Sequence, residues 1–211
     1  MSSNTVNCDD PGFLSDDPGI ERLLDNVQAQ VPGLTTDMAN LACWNTIEHF
    51  YMASTYRREL IYWRMEPGQI YIDFDPYDQD WRVSRFLFLS GSPNLKIEPP
   101  GRVRDLSSTT PDSERKGQVY LALKPRSVNT KLPYDLWTTY WEALLSGALY
   151  RLCMQPGKPY SDLQAASVHA KLYRSGIASA RADAQAHHLR DGSEWSFPYF
   201  ASGGSADGRR G

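Results

Sequence analysis

The chain reads as an α+β protein: a helical bundle with a long C-terminal helix and an inserted antiparallel β module. Three observations predict this. Residues 132–188 carry two helix patterns joined by a rigid turn, residues 36–54 form a further strongly apolar helix pattern, and between them the hydrophobic period shortens to that of strands. The expected division is a flexible arm over 1–16, a bundle from 17–54 and 132–188, a β module over 55–131 and a tail over 189–211.

Taken in order, Asp17 is placed to cap a helix with Pro18 at its first position, and Ile20, Leu23, Leu24, Val27 and Val31 mark its buried stripe. Pro32 and Gly33 stop it. A second helix starts near Thr36 and runs to about Ser54, with Met38, Leu41, Ala42, Trp44, Ile47, Phe50 and Tyr51 around much of its circumference. The stretch ELIYWRMEPGQIYIDF, residues 59–74, is aromatic and β-branched with a Pro67-Gly68 break, which predicts a hairpin. VSRFLFL over 83–89, a short strand at 95–97 and GQVYLAL over 117–123 follow. RDLSSTTPDSERKG is too polar for core and is expected to be a long exposed loop.

Next come the two helices of residues 132–188. Trp137, Tyr140, Trp141, Leu144, Leu145, Ala148, Leu149 and Leu152 make one broad apolar face. Pro156, Gly157 and Pro159 break the chain, and Ser161 with Gln164 reads as a capping box. Leu163, Ala166, Ala170, Tyr173, Ile177, Ala180 and Ala184 then follow a 3,4,3,4 rhythm, the seam of a helix packed along its length. From about residue 162 to 188 it spans roughly 40 Å at ~1.5 Å per residue, longer than a compact domain of this size needs. A mostly alanine seam allows close approach, with Gly147 and Ala148 as the matching flat surface.

At 211 residues the chain is long enough for one full core. A net charge of −3 argues against a protein built chiefly to bind nucleic acid tightly. Cys8, Cys43 and Cys153 stand far apart, no C-x-x-C occurs, and His49, His169, His187 and His188 complete no zinc spacing. The opening MSSNTVNCDDPGFLSDDP is polar and acidic, unlike a secretory signal, and no run approaches the ~18 apolar residues of a membrane span. Synthesis in a reducing cytoplasm and no membrane partner are expected.

The search for chemistry returns little. Asp73, Asp75, Asp78 and Asp80 are dense enough to hold a divalent cation, but the calcium-loop pattern is missing, and turn solvation explains acids beside Pro76 and Tyr77. No G-x-S-x-G, phosphate loop or dinucleotide fingerprint occurs. His187 and His188, near Arg181 and Arg190, suit the carboxyl end of a helix. Arg57, Arg58, Arg64, Arg102, Arg104, Arg115 and Lys116 read as polar strand faces or intersubunit ion pairs rather than as a nucleic-acid surface. WSFPYF in the tail, with Trp195, Phe197, Tyr199 and Phe200, has the composition of a segment that docks on a partner.

LPYDLWTTYWEALLSGALYRLCMQPGKPYSD and HAKLYRSGIASARADA resemble the head-to-tail adaptor (connector) family of tailed bacteriophages, the podovirus-type tail tubular protein A and gatekeeper adaptors. The shared features are a proline-led helix, a G-A-L-x-x-L step, a P-G-K-P-Y turn and a G-I-x-x-A-R-x-x-A finish; over the rest of the chain the match is one of order and size. The resemblance implies a structural virion protein of the neck, not an enzyme and without cofactor or metal. It further implies a twelvefold ring between the portal and the tail nozzle or tube, through which genomic DNA passes without sequence-specific binding. Tyr173, Arg174, Arg181, His187, His188 and the four tail aromatics are the expected contacts with the portal or a neighbour. A small metal-dependent enzyme using the aspartate cluster and a monomeric virion binding module stay open as alternatives.

Overall fold

The structure is a computed structural model and describes residues 18–91, 94–98, 101–106 and 113–190, with the side chains of Pro18 and of residues 187–190 outside that description. Helices and antiparallel sheets are both present, so the chain is of mixed α+β class. Helix α1, Pro18–Gln30, opens on a proline whose missing N–H would have had no partner there. Its stripe Ile20, Leu23, Leu24, Val27 and Val31 is buried as the spacing predicts. Helix α2, Thr36–Ser54, buries Ile47, Phe50 and Tyr51, while Leu41 stays 56% exposed. It ends at Thr55, a left-handed residue (φ 53) whose N–H donates to the Tyr51 carbonyl. The Arg58 guanidinium donates to both the carbonyl and the hydroxyl of Thr55, at 3.0 Å each, and holds a conformation that β-branched residues disfavour.

Six strands follow: β1 Arg57–Met65, β2 Tyr71–Asp73, β3 Trp81–Leu89, β4 Leu95–Glu98, β5 Arg102–Asp105 and β6 Arg115–Pro125. They form two three-stranded sheets, ordered β1-β6-β3 and β2-β5-β4, every pair antiparallel. The expected hairpin over 59–74 is corrected. The Pro67-Gly68 turn exists, closed by Gln69 N–H to the Glu66 carbonyl at 3.0 Å, but its two strands part into different sheets. Strand β1 pairs along its whole length with β6, and the three residues of β2 pair with β5. A nine-residue strand gains more hydrogen bonds and apolar contact from the Val119–Leu123 run than from a three-residue neighbour.

The two sheets bury Trp63, Val83, Val119, Leu121 and Leu123 on one side and Val103 with Phe74 on the other, and Phe74 meets Phe86 edge to face at 5.8 Å. The expected polar loop over 104–117 is also corrected at both ends: Arg104 and Asp105 finish β5, and Arg115 opens β6. An Arg115–Asp105 ion pair joins the two strands, with the Asp105 side chain only 2% exposed. Residues 107–112 lie outside the described residues.

The apolar face read as one helix from Trp137 to Leu152 falls on two: α3, Tyr134–Thr139, and α4, Trp141–Cys153, broken at Tyr140 (φ −115, ψ 15). Thr138 turns its hydroxyl back to the carbonyls of Tyr134 and Asp135, competing with the helix ladder, and Tyr140 instead donates its hydroxyl to Asp183. The 28-residue α5, Leu163–Arg190, then runs back along α4. Its start corrects the capping box. Asp162 Oδ1 accepts from the N–H groups of Gln164 (2.8 Å) and Ala165 (3.0 Å), while the Ser161 N–H is spent inside the turn on Lys158. A carboxylate is favoured there over a hydroxyl because it also meets the positive end of the helix.

Of the expected seam, Ala166, Tyr173, Ile177, Ala180 and Ala184 are buried and Ala170 is half-buried, while Leu163 is 71% exposed and lies outside it. Two glycines set the spacing. A Cβ on Gly176 would sit 2.2 Å from Ala143 Cβ, and one on Gly147 would sit 2.4 Å from Thr46 Cγ2 and 2.8 Å from the Tyr173 ring. Gly147 is therefore where α2, α4 and α5 come closest.

Candidate interaction surfaces

Tyr173 is corrected from a surface contact to a residue of the core. It is buried, donates its hydroxyl to the Thr46 carbonyl at 3.0 Å, and its oxygen lies 2.9 Å from His49 Nδ1. With the phenol proton committed to Thr46, the His49 Nδ1–H is the donor of the second bond. Burial raises the phenol above its ordinary range, with nearby Arg151 opposing, and burial together with Arg151 lowers His49. Arg181 is exposed yet occupied, its guanidinium donating at 2.6 Å to the Ala53 carbonyl in the last turn of α2, where a cation meets the negative helix end. Arg174 is exposed on the same helix. His187 and His188 fall in the last turn of α5 with side chains outside the description, and Trp195, Phe197, Tyr199 and Phe200 lie outside the described residues.

The aspartates are dispersed into separate jobs. Asp73 takes a fork from Arg102 at 2.6 and 3.1 Å, which holds its carboxyl below the ordinary range. Asp78 accepts from Arg57 at 3.4 Å and from the Asp80 N–H at 3.1 Å, and the Asp80 carbonyl accepts from Arg126 N–H and the Thr130 hydroxyl. Among the described residues, no three His, Cys, Asp or Glu side chains gather as a metal site. Cys43 and Cys153 are free and buried, and burial pushes the Cys43 thiol up to about 12.

The arginines expected to reach a neighbouring subunit are largely satisfied within the chain. Arg57 lies 4.1 Å over the Trp81 ring, Arg64 pairs with Glu66 and Glu114 at 3.0 Å, Arg102 pairs with Asp73 and Arg115 with Asp105; outside that set, Arg82 and Lys124 share Glu48 at 2.6 and 2.7 Å. The last arrangement holds the Glu48 carboxyl below its usual range, the Lys124 bond contributing most.

Among the described residues apolar groups stay in water on several surfaces, of which three follow. On α5, Val168 and Leu172 are 53% and 54% exposed and lie opposite the seam. Between α2 and α4 a groove of about 340 Å³ is lined by Met38, Leu41, Ala42 and Met154, with Arg151 at its side. The third is the outer face of the β1-β6-β3 sheet, where Leu60, Tyr120 and Phe88 align across the strands and Tyr62 is 69% exposed. Sequence reasoning missed this face because it is assembled from strands far apart in the chain. Its only linear trace is the alternation Arg58, Leu60, Tyr62, Arg64 against Lys116, Gln118, Tyr120.

No protein-family model matches the chain, and no curated protein matches it. No helix among the described residues is long and apolar enough to cross a membrane.

Proposed function

We propose that the chain is a subunit of a head-to-tail adaptor ring of a tailed bacteriophage, joining the portal to the tail nozzle or tube and continuing the DNA channel. The observation that carries the reading is the α4–α5 hairpin, whose residues are those that resemble the adaptor family. Its inner side is closed by Gly147 and Gly176 to a spacing that admits no side chain, while its outer side leaves Val168 and Leu172 uncovered. A helix of 28 residues, about 42 Å, with apolar groups on opposite sides is suited to packing in its own subunit and against the next. On this reading α1, α2, α4 and α5 are the bundle of the ring and the two sheets are its platform. Ring closure comes from heterologous contacts between neighbours, twelvefold by resemblance. Residues 189–211 carry the aromatic segment that grips the portal.

The test is cofractionation with the portal protein encoded alongside this chain. The expected result is a stable complex that Val168→Glu with Leu172→Glu abolishes and that deletion from Leu189 onward weakens. Cofractionation unaffected by the helix substitutions removes the outer face of α5 from the interface.

A further inference from the structure

The outer face of the β1-β6-β3 sheet combines uncovered aromatic groups with unneutralised positive charge. Leu60 and Phe88 both face Tyr120, Tyr62 and Phe88 are 69% and 53% exposed, and Arg58 and Arg85 flank Ala122 from opposite strands. Among the described residues no carboxylate is bonded to Arg58 or Arg85; Arg58 reaches only the backbone and hydroxyl of Thr55. Burial, and secondarily the neighbouring Arg85, pushes Arg58 below the ordinary arginine range.

The complement to this face is in the same chain. Residues 9–17, DDPGFLSDD, place Phe13 and Leu14 between Asp9-Asp10 and Asp16-Asp17, and no lysine or arginine precedes Pro18. Gly19 lies against the Trp137 indole on α3, and Asp135 of the same helix accepts a hydrogen bond from Tyr56, the residue before β1. Phe13 is five residues before Pro18, so extended chain carries it up to about 17 Å.

We propose that the acidic segment of residues 9–17 docks on the outer face of the β1-β6-β3 sheet, with Phe13 and Leu14 against Tyr62, Phe88 and Tyr120 and its aspartates beside Arg58 and Arg85. The segment covers apolar surface that the sheet otherwise leaves in water, and its charge suppresses binding of other acidic chains there. The docking is separate from the adaptor role and can be tested without a portal.

The experiment uses the full chain with p-benzoylphenylalanine in place of Phe13, irradiated and mapped by mass spectrometry. The expected cross-links fall on peptides containing Tyr62, Phe88 or Tyr120. Arg85→Glu, an exposed position, lowers their yield at least about fivefold at low salt, and Asp16→Arg in that background restores at least about half of it, because the pair is electrostatic. Cross-links concentrated on the α2–α4 groove or on residues 195–200, or a yield indifferent to Arg85→Glu, overturn the proposal. So does a labelled single-stranded oligonucleotide that binds this face in the full chain, is lost with Arg85→Glu, and leaves the Phe13 cross-links unchanged.

Discussion

The helices and the sheets of this chain solve burial in different ways. Where α2, α4 and α5 meet, backbones approach through glycine and alanine, and buried Tyr173 donates to the Thr46 carbonyl while the exposed His49 bonds its hydroxyl from the rim. The paired sheets instead bury larger side chains between two short layers and expose faces crowded with charge. In the first region a single added carbon is felt; in the second, among the described residues, ion pairs range from the well exposed Arg102–Asp73 to the largely buried Arg115–Asp105 and Lys124–Glu48.

The strongest way to break this contrast is Gly176→Leu. Its Cβ falls on that of Ala143, so the helices must separate, at a cost of about 3 kcal/mol in chemical denaturation; an unchanged midpoint means that the seam is loose. Next is Asp105→Ala, which removes a buried carboxylate from the Arg115 guanidinium. Because the Arg115 side chain is 23% exposed and can still reach water, the expected loss is about 2 kcal/mol, below that of a fully buried pair.

Tyr173→Phe removes the hydroxyl between Thr46 and His49 and should cost about 1 kcal/mol with the fold intact. The same node sets a pH dependence. The folded chain holds His49 below its ordinary value, so as pH falls below about 6.5 the unfolded chain takes up the proton first and stability drops until the folded pKa is passed. His49→Gln should flatten that part of the stability–pH curve; a slope unchanged by the substitution assigns it elsewhere. The smallest effect sharpens the contrast from the other side: Asp73→Asn breaks an ion pair whose partners are both well exposed, and the unfolding midpoint should not move measurably.

Much of the helical part was legible in the sequence because its signals are local. The α1 stripe, the 3,4,3,4 seam and the proline-glycine turn follow from local spacing, and the misses were small: Asp162 in place of Ser161, Leu163 off the seam, and a break at Tyr140. Strand existence was legible too, but pairing was not. The preference of β1 for β6, fifty residues away, depends on matched length and apolar content, which no local pattern encodes. Of the expected contact residues, Tyr173 was misplaced because an aromatic at a seam position serves packing first. The sheet face was overlooked because its residues converge only through that non-local register.

The adaptor reading is tested most directly by electron microscopy of the chain mixed with its portal. The account predicts rings stacked coaxially on the portal with an open central channel and with the outer face of α5 against a neighbouring subunit. Portal particles without added density, at concentrations where the chain is folded, would contradict it.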